Sequence, residues 1–228
     1  MTATLAIYDM DRTVTRRPTY GAFLWHATRR LAPWRAVFAP LVVLATLAYA
    51  LKLIDRARLK EWNYRMLVGH VAPARLEQVV QSFADRQLAT NILPGARDRI
   101  AEDKAAGRRL VLATASYRLY AAAIARRLGF DDVIATDTRI DAKGRTLAWI
   151  DGRNCYGIAK LDMIEAWLQQ EGLDRDAVHI RFYSDHVSDS PVHHWSDEAF
   201  ATNAHARLVK VAQDEGWEVL DWRDRRRA

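Results

Sequence analysis

The sequence predicts an α/β fold in which a mostly parallel β-sheet is covered by helices on both faces and carries an inserted helical subdomain. Residues 5–8 form a short apolar run that is typical of a buried strand. A helical pattern then covers residues 18 to 90, and after the turn signal at residues 93–95 short apolar runs alternate with helical segments. Such alternation implies parallel strands joined by helices. With 228 residues, 50% of them hydrophobic, the chain can form one sizeable core and a smaller subdomain.

The predicted elements after the turn follow one another in a regular order. Helices are predicted at residues 96–106, 118–128 and 158–171, and each stops at a glycine. Strands are predicted at residues 109–113, 133–136, 179–184, 199–202 and 217–220. Residues 138–150 contain Asp141-Ala142-Lys143-Gly144 between two short β-like runs, which predicts a hairpin.

Residues 36–51 form a membrane-like stretch of uncharged residues, mostly Val, Leu and Ala, bounded by Arg35 and Lys52. A membrane-spanning helix needs about 20 apolar residues, and this stretch is shorter and has Pro40 near its start. A buried helix of the subdomain is the first interpretation, a helix at a bilayer surface the second, and a true span the third. Flanking cations favour the second because they attract anionic headgroups: Arg29, Arg30, Arg35, Lys52, Arg56 and Arg58.

The charge balance suits an anionic partner. The chain has 34 Lys and Arg against 28 Asp and Glu, a formal charge of +6. A phosphorylated metabolite, an anionic lipid surface and nucleic acid would all fit this charge, and so would scattered solvated arginines with no partner. Clusters occur at residues 16–17, 29–30, 126–127 and 225–227. The eight tryptophans are scattered, which favours packing over base stacking, so we expect no nucleic-acid partner.

Cysteine usage and the first residues bear on the compartment. Cys155 is the only cysteine, so no intramolecular disulfide can form, which suits a reducing compartment. A strand-like run begins almost at once, where a secretory signal would have a charged start and an apolar region. We therefore expect a cytoplasmic protein, either free or peripheral at the inner membrane face. The sequence leaves the oligomeric state open.

Polar groups directly follow several predicted strands. They are Asp9, Asp11 and Thr13 after the first strand, Thr114 and Ser116 after the second, Asp185 and Asp189 after a later one, and Lys160 near a helix start. Because the carboxyl ends of parallel strands meet at one edge of a sheet, these groups should converge. Converging carboxylates need a cation, and oxygen ligands suit Mg2+, while a lysine and helix amides suit a phosphate. The pattern predicts a phosphoryl-transfer site.

The ordered set Asp9-x-Asp11-x-Thr13, Thr114, Lys160 and Asp185-x-x-x-Asp189 resembles the four motifs of the haloacid dehalogenase (HAD) superfamily. The resemblance implies a Rossmann-like, doubly wound core of residues 1–13 and 91–228, with a helical cap at residues 14–90. A helical insertion directly after the first motif resembles subfamily IB, which includes phosphoserine phosphatases and phosphatidylglycerophosphate phosphatases.

The resemblance also implies a role for each site residue. Asp9 would attack the phosphorus and form an aspartyl-phosphate, and Asp11 would act as general acid and base. Thr13, Thr114 and Lys160 would bind the phosphate. Mg2+ would be held by Asp9, by the backbone carbonyl of Asp11 and by Asp185, with Asp189 acting through water or by orienting its neighbours. Haloacid dehalogenases proper lack the second acid, so Asp11 favours phosphate esters. Ser116 is predicted to cap the following helix.

The chain departs from relatives at three arginines. Many relatives have Gly or Ser where Arg12 stands, and many phosphoserine phosphatases have a Glu where this chain has Arg16 and Arg17. These arginines favour a substrate with extra negative charge. We therefore predict a magnesium-dependent phosphomonoesterase for a phosphorylated small molecule or lipid, such as a phosphatidylglycerophosphate-type lipid at an anionic membrane surface. The alternatives are a soluble phosphoserine-type phosphatase and a non-catalytic HAD-like adaptor.

Overall fold

The computed structural model describes residues 3–223, and a seven-stranded sheet lies at its centre. The strands are β1 (Ala3–Tyr8), β2 (Arg109–Tyr117), β3 (Asp132–Ile140), β4 (Thr146–Asp151), β5 (Val178–Ser184), β6 (Glu198–Thr202) and β7 (Glu218–Leu220). The helices are α1 (Tyr20–Leu31), α2 (Ala39–Ala50), α3 (Arg56–Leu67), α4 (Pro73–Thr90), α5 (Pro94–Ala105), α6 (Arg118–Leu128), α7 (Ile158–Gln170), α8 (Ser190–Trp195) and α9 (Ala206–Glu215).

The sheet has the strand order β4-β3-β2-β1-β5-β6-β7. Every described pair is parallel except β3 with β4, which forms the predicted hairpin. The chain runs outward from β1 through β2 and β3 to β4 and then crosses to the other side of β1, so the strand order reverses between β1 and β5. Open parallel sheets bind ligands at such a point. The predicted α/β, Rossmann-like fold is confirmed, and Asp9 follows β1 directly at the reversal.

Helices cover both faces of the sheet, so the central strand β1 is buried on both sides. Tyr8 stacks on Tyr183 with ring centroids 4.5 Å apart, and Tyr183 stacks on Phe200 at 4.6 Å, on the face that α5 and α6 cover. Ile7 points to the opposite face and packs in a second cluster with Ile164 of α7. Side chains of a strand alternate between faces, so a run with both faces buried reads as continuously apolar.

The single helical pattern before residue 90 consists of four helices, α1 to α4, with a 3₁₀ turn at Pro33–Phe38 between the first two. This segment leaves and re-enters the sheet domain at neighbouring points. Arg16 N donates to Asn91 O at 2.7 Å, and Leu93 N donates to Val14 O at 3.0 Å. Adjacent ends are what an inserted cap requires, although the division at residues 14 and 90 stays a prediction.

The apolar helix α2 is not buried, so the first interpretation of residues 36–51 is wrong. Only Ala45 of α2 is buried, whereas Val43, Leu44 and Leu47 are 58%, 59% and 53% exposed. Within residues 3–223, one helical stretch is long and apolar enough to cross a membrane by length and composition, the 18 residues of Pro33–Ala50, and 6% of it is buried. The two membrane interpretations remain.

The other differences from the predicted elements are small. Strands β2 and β3 are longer than predicted, and helices α8 and α9 were not predicted. Helix α8 has only six residues and begins Ser-Pro, a pattern that also indicates a turn. The arginine cluster at residues 225–227 lies outside the described residues.

Candidate active site

The loop after β1 brings three predicted site residues to the edge of the sheet. Asp9 N donates to Tyr183 O at 2.9 Å, which extends the pairing of β1 with β5 by one residue. The chain then turns, because the amides of Val14 and Thr15 both donate to Met10 O. This turn directs Thr13 back to Asp9, and Thr13 Oγ1 donates to Asp9 Oδ2 at 3.4 Å.

Arg12 holds an unusual backbone position in this turn. Its φ is 66°, which lies in the left-handed region that favours glycine. Asn203 Nδ2 donates to the carbonyl of Arg12 at 3.0 Å and to that of Thr13 at 3.1 Å. The Arg12 guanidinium lies 2.9 Å from His205 Nε2. The loop from β6 to α9 therefore supports the strained turn.

Lys160 connects two of the predicted acids. It lies in the first turn of α7, and its Nζ donates to Asp9 Oδ1 at 2.8 Å and to Asp189 Oδ2 at 2.6 Å. Burial opposes its charge, yet the nearby carboxylates of Asp189 and Asp9 raise the pKa of Lys160 above its ordinary value. Lys160 is therefore a permanent cation directly beside the predicted nucleophile.

Asp185 and Asp189 lie after β5, as predicted, and both are buried. Asp189 Oδ2 also accepts from Ser184 Oγ at 2.7 Å. Burial, together with the charges of Asp9 and Asp189, raises the pKa of Asp185 to about 8. Burial raises the pKa of Asp9 to about 7 against the opposing effect of Lys160. The site thus places four carboxyl groups around one lysine, and a bound cation would favour their charged forms.

The carboxylate of Asp11 is held separately from that of Asp9. Its Oδ1 accepts from Thr19 N and from Thr19 Oγ1, both at 2.8 Å, and its Oδ2 accepts from Ser116 Oγ at 3.0 Å. Burial raises the pKa of Asp11 despite these bonds, which suits a proton donor. Ser116 was predicted to cap the next helix, but that prediction is wrong, since the residue before α6 is Tyr117 and the Ser116 hydroxyl serves Asp11.

Thr114 lies buried near the end of β2, at the same edge. Its Oγ1 accepts from Ser116 N at 3.1 Å. In this bond the Thr114 hydroxyl is the acceptor, and its own hydrogen donates to none of the described residues. Thr114 can therefore donate to a ligand oxygen.

These residues line one cavity of about 290 Å³. Asp9, Asp11, Thr114, Lys160, Asp185 and Asp189 all contribute to it, whereas Thr13 lies behind Asp9. Sequence reasoning missed several lining residues: Pro18, Arg56, Tyr156, His186, Ser188 and His205. Arg56 lies over the Tyr156 ring at 4.1 Å from its centroid. Arg56 gave a signal in the sequence as one of the cations near the apolar stretch. His186 gave one as a histidine that could suggest a zinc site, although no acid or thiolate lies at a convincing ligand spacing around it.

Arg16 and Arg17 do not reach this cavity. They line a separate cleft between α1 and α4, while Arg12 lines the site itself. Of the three arginines that distinguish the sequence, one therefore faces the place where a substrate would bind.

The residues present fit a magnesium ion. Asp189 Oδ1 is buried without a hydrogen-bond partner among the described residues, and the carboxylates outnumber the one lysine. In the described part of the chain no three His, Cys, Asp or Glu side chains are grouped as a complete set of metal ligands. Mg2+ usually takes only one or two carboxylates and keeps several waters. The side chains of Asp9 and Asp185 with the Asp11 carbonyl would satisfy that need.

The chain is similar in sequence and in fold to known proteins. The model of the haloacid dehalogenase-like hydrolases matches residues 6–194. The protein CicA of Caulobacter vibrioides is 32% identical over 158 residues, which are 69% of this chain and 69% of CicA. A phosphoserine phosphatase of Mycobacterium tuberculosis is 30% identical over 68% of this chain and 49% of its own length, so the chain spans about half of it. A solved protein of unknown function from Bordetella pertussis superposes with a TM-score of 0.85 at 26% identity, over 97% of this chain and 100% of that one.

Proposed function

The chain is a phosphomonoesterase that belongs to the haloacid dehalogenase-like hydrolases, and from this premise we propose that it works through an aspartyl-phosphate on Asp9 with Mg2+ as its cofactor. One observation carries the proposal. Two acids that are two residues apart have different partners, since Asp9 contacts Lys160 and Thr13, whereas Asp11 contacts Thr19 and Ser116. Separate environments give the two carboxyl groups separate tasks.

In the first step an Asp9 oxygen attacks the phosphorus, and the bond from phosphorus to the ester oxygen breaks. Asp11 gives its proton to that oxygen, so the leaving group departs as a neutral alcohol. In the second step water attacks the phosphorus of the aspartyl-phosphate and gives a proton to Asp11. Inorganic phosphate leaves, and Asp9 and Asp11 return to their starting states.

The other residues balance charge on the phosphoryl group. Lys160 Nζ lies 2.8 Å from Asp9 Oδ1, so an oxygen of a phosphoryl group on Asp9 would lie near the ammonium group. The hydroxyl of Thr114 is a donor that lines the cavity, whereas the Thr13 hydroxyl donates to Asp9 itself. When bound, Mg2+ would neutralise further phosphate charge.

Hydrolysis of a chromogenic phosphate ester with Mg2+ tests this proposal. Asp9→Asn keeps the shape of the side chain and removes the nucleophilic carboxylate, so we expect a rate at least about a thousandfold below that of the parent. Asp214→Asn, on the exposed side of α9, is the matched control and should keep the parent rate. Equal rates for Asp9→Asn and the parent would remove Asp9 from the mechanism. Chelation by EDTA should abolish turnover, and added Mg2+ should restore it.

For the substrate, we propose a phosphate monoester at an anionic membrane surface, such as a phosphatidylglycerophosphate-type lipid. The exposed side of α2 supports this. The exposed residues of α2 include Thr46, Ala39, Val43, Leu47, Leu44 and Leu41. At about 100° per residue these positions cover more than half of the helix circumference. A protein partner would cover one stripe of such a helix, whereas acyl chains can surround it.

The position of α2 relative to the cavity also supports a lipid substrate. Leu51 and Leu53, 70% and 74% exposed, follow α2 directly, and Arg56 just beyond them lines the active-site cavity. An inserted α2 would bring the cavity mouth to headgroup level, where Lys52 and Arg58 would meet anionic lipids. In this proposal the enzyme is cytoplasmic and peripheral at the inner membrane face.

Vesicle co-sedimentation tests whether α2 contacts the membrane. In co-sedimentation the parent should bind anionic vesicles better than neutral ones, and the double variant Val43→Asp with Leu47→Asp should bind at least about tenfold more weakly. Ile140→Asp with Val219→Asp is the matched control, because both residues are exposed and apolar but lie in the sheet. Equal binding by both double variants would exclude α2 as the membrane contact.

A panel of esters then separates the substrate classes. Faster turnover of lipid phosphates in detergent than of phosphoserine would support the lipid, and the reverse would support the phosphoserine-type alternative that the Mycobacterium tuberculosis relative suggests. No turnover of any ester would leave the adaptor interpretation.

A further inference from the structure

A second large cleft lies between α1 and α4, away from the catalytic residues. It has a volume of about 910 Å³, against about 290 Å³ for the active-site cavity. Pro18 is the one lining residue that the two cavities share. Five arginines line the cleft, together with Trp25 and several polar side chains: Arg16, Arg17, Arg29, Arg30 and Arg86.

The charged side chains that line this cleft are all positive. Among the described residues that line it there is no Asp or Glu, and none of the five arginines forms an ion pair with a described residue. The neighbouring acid on α4, Asp85, instead accepts from Arg127 Nε at 2.7 Å. The guanidinium groups therefore repel one another across a concave surface, and an anion would relieve that repulsion.

The floor of the cleft is polar and ordered. His26, Gln87 and Asn91 are buried there. His26 Nε2 lies 2.9 Å from Ser82 Oγ, and Asn91 Nδ2 donates to Gln87 Oε1 at 2.6 Å. Burial and the charges of Arg30 and Arg86 lower the pKa of His26, which agrees with a positive potential in the cleft.

One wall of the cleft is fixed by an exchange of hydrogen bonds. Arg17 N donates to Asn91 Oδ1, and Asn91 Nδ2 donates to Arg17 O, both at 3.0 Å. The backbone that carries Arg16 and Arg17 is thus held against the end of α4 before any ligand arrives. A site that is ordered beforehand loses less entropy when it binds.

We propose that this cleft is a second anion site that binds a ligand with two or more phosphate groups. One phosphate would leave most of five guanidinium charges uncompensated, whereas several phosphates spaced along a small molecule or a headgroup would match them. Guanidinium groups bind phosphate oxygens in pairs, and the cleft has the volume of a small-molecule site. The site would be distinct from the phosphoryl site at Asp9.

Calorimetric titration of the full chain with tripolyphosphate in EDTA tests the proposal. EDTA removes the metal that turnover is proposed to need, so no hydrolysis accompanies the titration. Arg29→Ala with Arg86→Ala should weaken binding about a hundredfold, about tenfold for each arginine, and phosphatase activity should stay at the parent level. The control Arg75→Ala with Arg126→Ala removes two exposed arginines outside the cleft and should bind like the parent.

A second arm distinguishes a soluble ligand from a lipid. The Val43→Asp, Leu47→Asp background removes the proposed insertion of α2, and cardiolipin vesicles then present paired phosphates to the cleft alone. Binding of tripolyphosphate without vesicle binding would assign a soluble ligand, and binding of both would assign a headgroup. The proposal would be overturned if both double arginine variants weakened tripolyphosphate binding equally. It would also be overturned if the parent bound monophosphate as tightly as tripolyphosphate, or if it bound neither tripolyphosphate nor the vesicles. These results do not depend on turnover, so they are separable from a failure of the catalytic proposal.

Discussion

Lys60 gives a stability prediction that the structure makes quantitative. It lies on α3 with 6% exposure, and its Nζ donates to Ala115 O at 2.6 Å and to Asn154 Oδ1 at 2.8 Å. Burial and the charge of Arg56 lower the pKa of Lys60 from 10.5 to about 7. Its buried position therefore costs free energy whenever the ammonium group is charged.

The direction in which stability changes with pH follows from how many protons Lys60 holds in the folded and in the unfolded chain. Between about pH 7 and the unfolded pKa of 10.5, the unfolded chain holds the proton and the folded chain does not, so stability rises with pH. Below about pH 7 Lys60 is protonated in both the folded and the unfolded chain, so the free-energy cost of burying its charge has its full value and no longer changes with pH. The pKa difference corresponds to at most about 5 kcal/mol.

Lys60→Met keeps the apolar stem and removes the titrating group. We expect the difference in unfolding free energy between variant and parent to shrink as pH rises from about 7 to about 10, by about 3–4 kcal/mol. Urea unfolding across that range measures it, with Lys210→Met on the exposed side of α9 as the control. Parallel stability curves for parent and Lys60→Met would refute the argument, because they would mean that Lys60 titrates normally in the folded chain.

Two further substitutions test the site and the core. Thr19→Val removes one donor to Asp11 but keeps side-chain volume. Loss of a buried hydrogen bond costs about 1–3 kcal/mol, so we expect kcat/KM to fall about tenfold or more in the phosphatase assay and the melting temperature to fall as well. Gly95→Ala would place a Cβ 2.8 Å from Trp222 Cα, so calorimetry should show about 1–3 kcal/mol of destabilisation. Gly21→Ala, which has nothing within 4 Å, should be neutral or stabilising.

The sheet was predictable because its strands are short apolar runs separated by turn residues, and parallel strands bring their carboxyl ends together. That rule placed Asp9, Thr114 and Asp185 at one edge of the sheet. Lys160 follows the antiparallel hairpin, so its place in the site was predicted from its position near the start of the next helix and from the family resemblance. The partners of Asp11 could not be predicted in this way. Thr19 lies eight residues beyond it, and only the path of the chain between β1 and α1 brings its hydroxyl and amide back to that carboxylate.

The solvent exposure of residues 36–51 could not be predicted from the sequence either. The composition of residues 36–51 suits a buried helix as well as a membrane-facing one, and the outcome depends on whether other helices cover it. In the structure α2 packs along one side only, near Ala45. The directions of Arg16 and Arg17 likewise depend on how Asn91 holds their backbone, a contact across 74 positions of the chain.

The hydrogen bonds of Asp11 limit how far this enzyme can be treated as a set of exchangeable modules. Two of its three described bonds come from Thr19, at the entry to the inserted helices, and one comes from Ser116 of the sheet domain. A chimaera that grafts foreign helices at this junction would retain the nucleophile and its lysine but would carry a disoriented proton donor. Recombination of such segments between relatives therefore has to conserve the junction residue, even where the helices themselves are free to diverge.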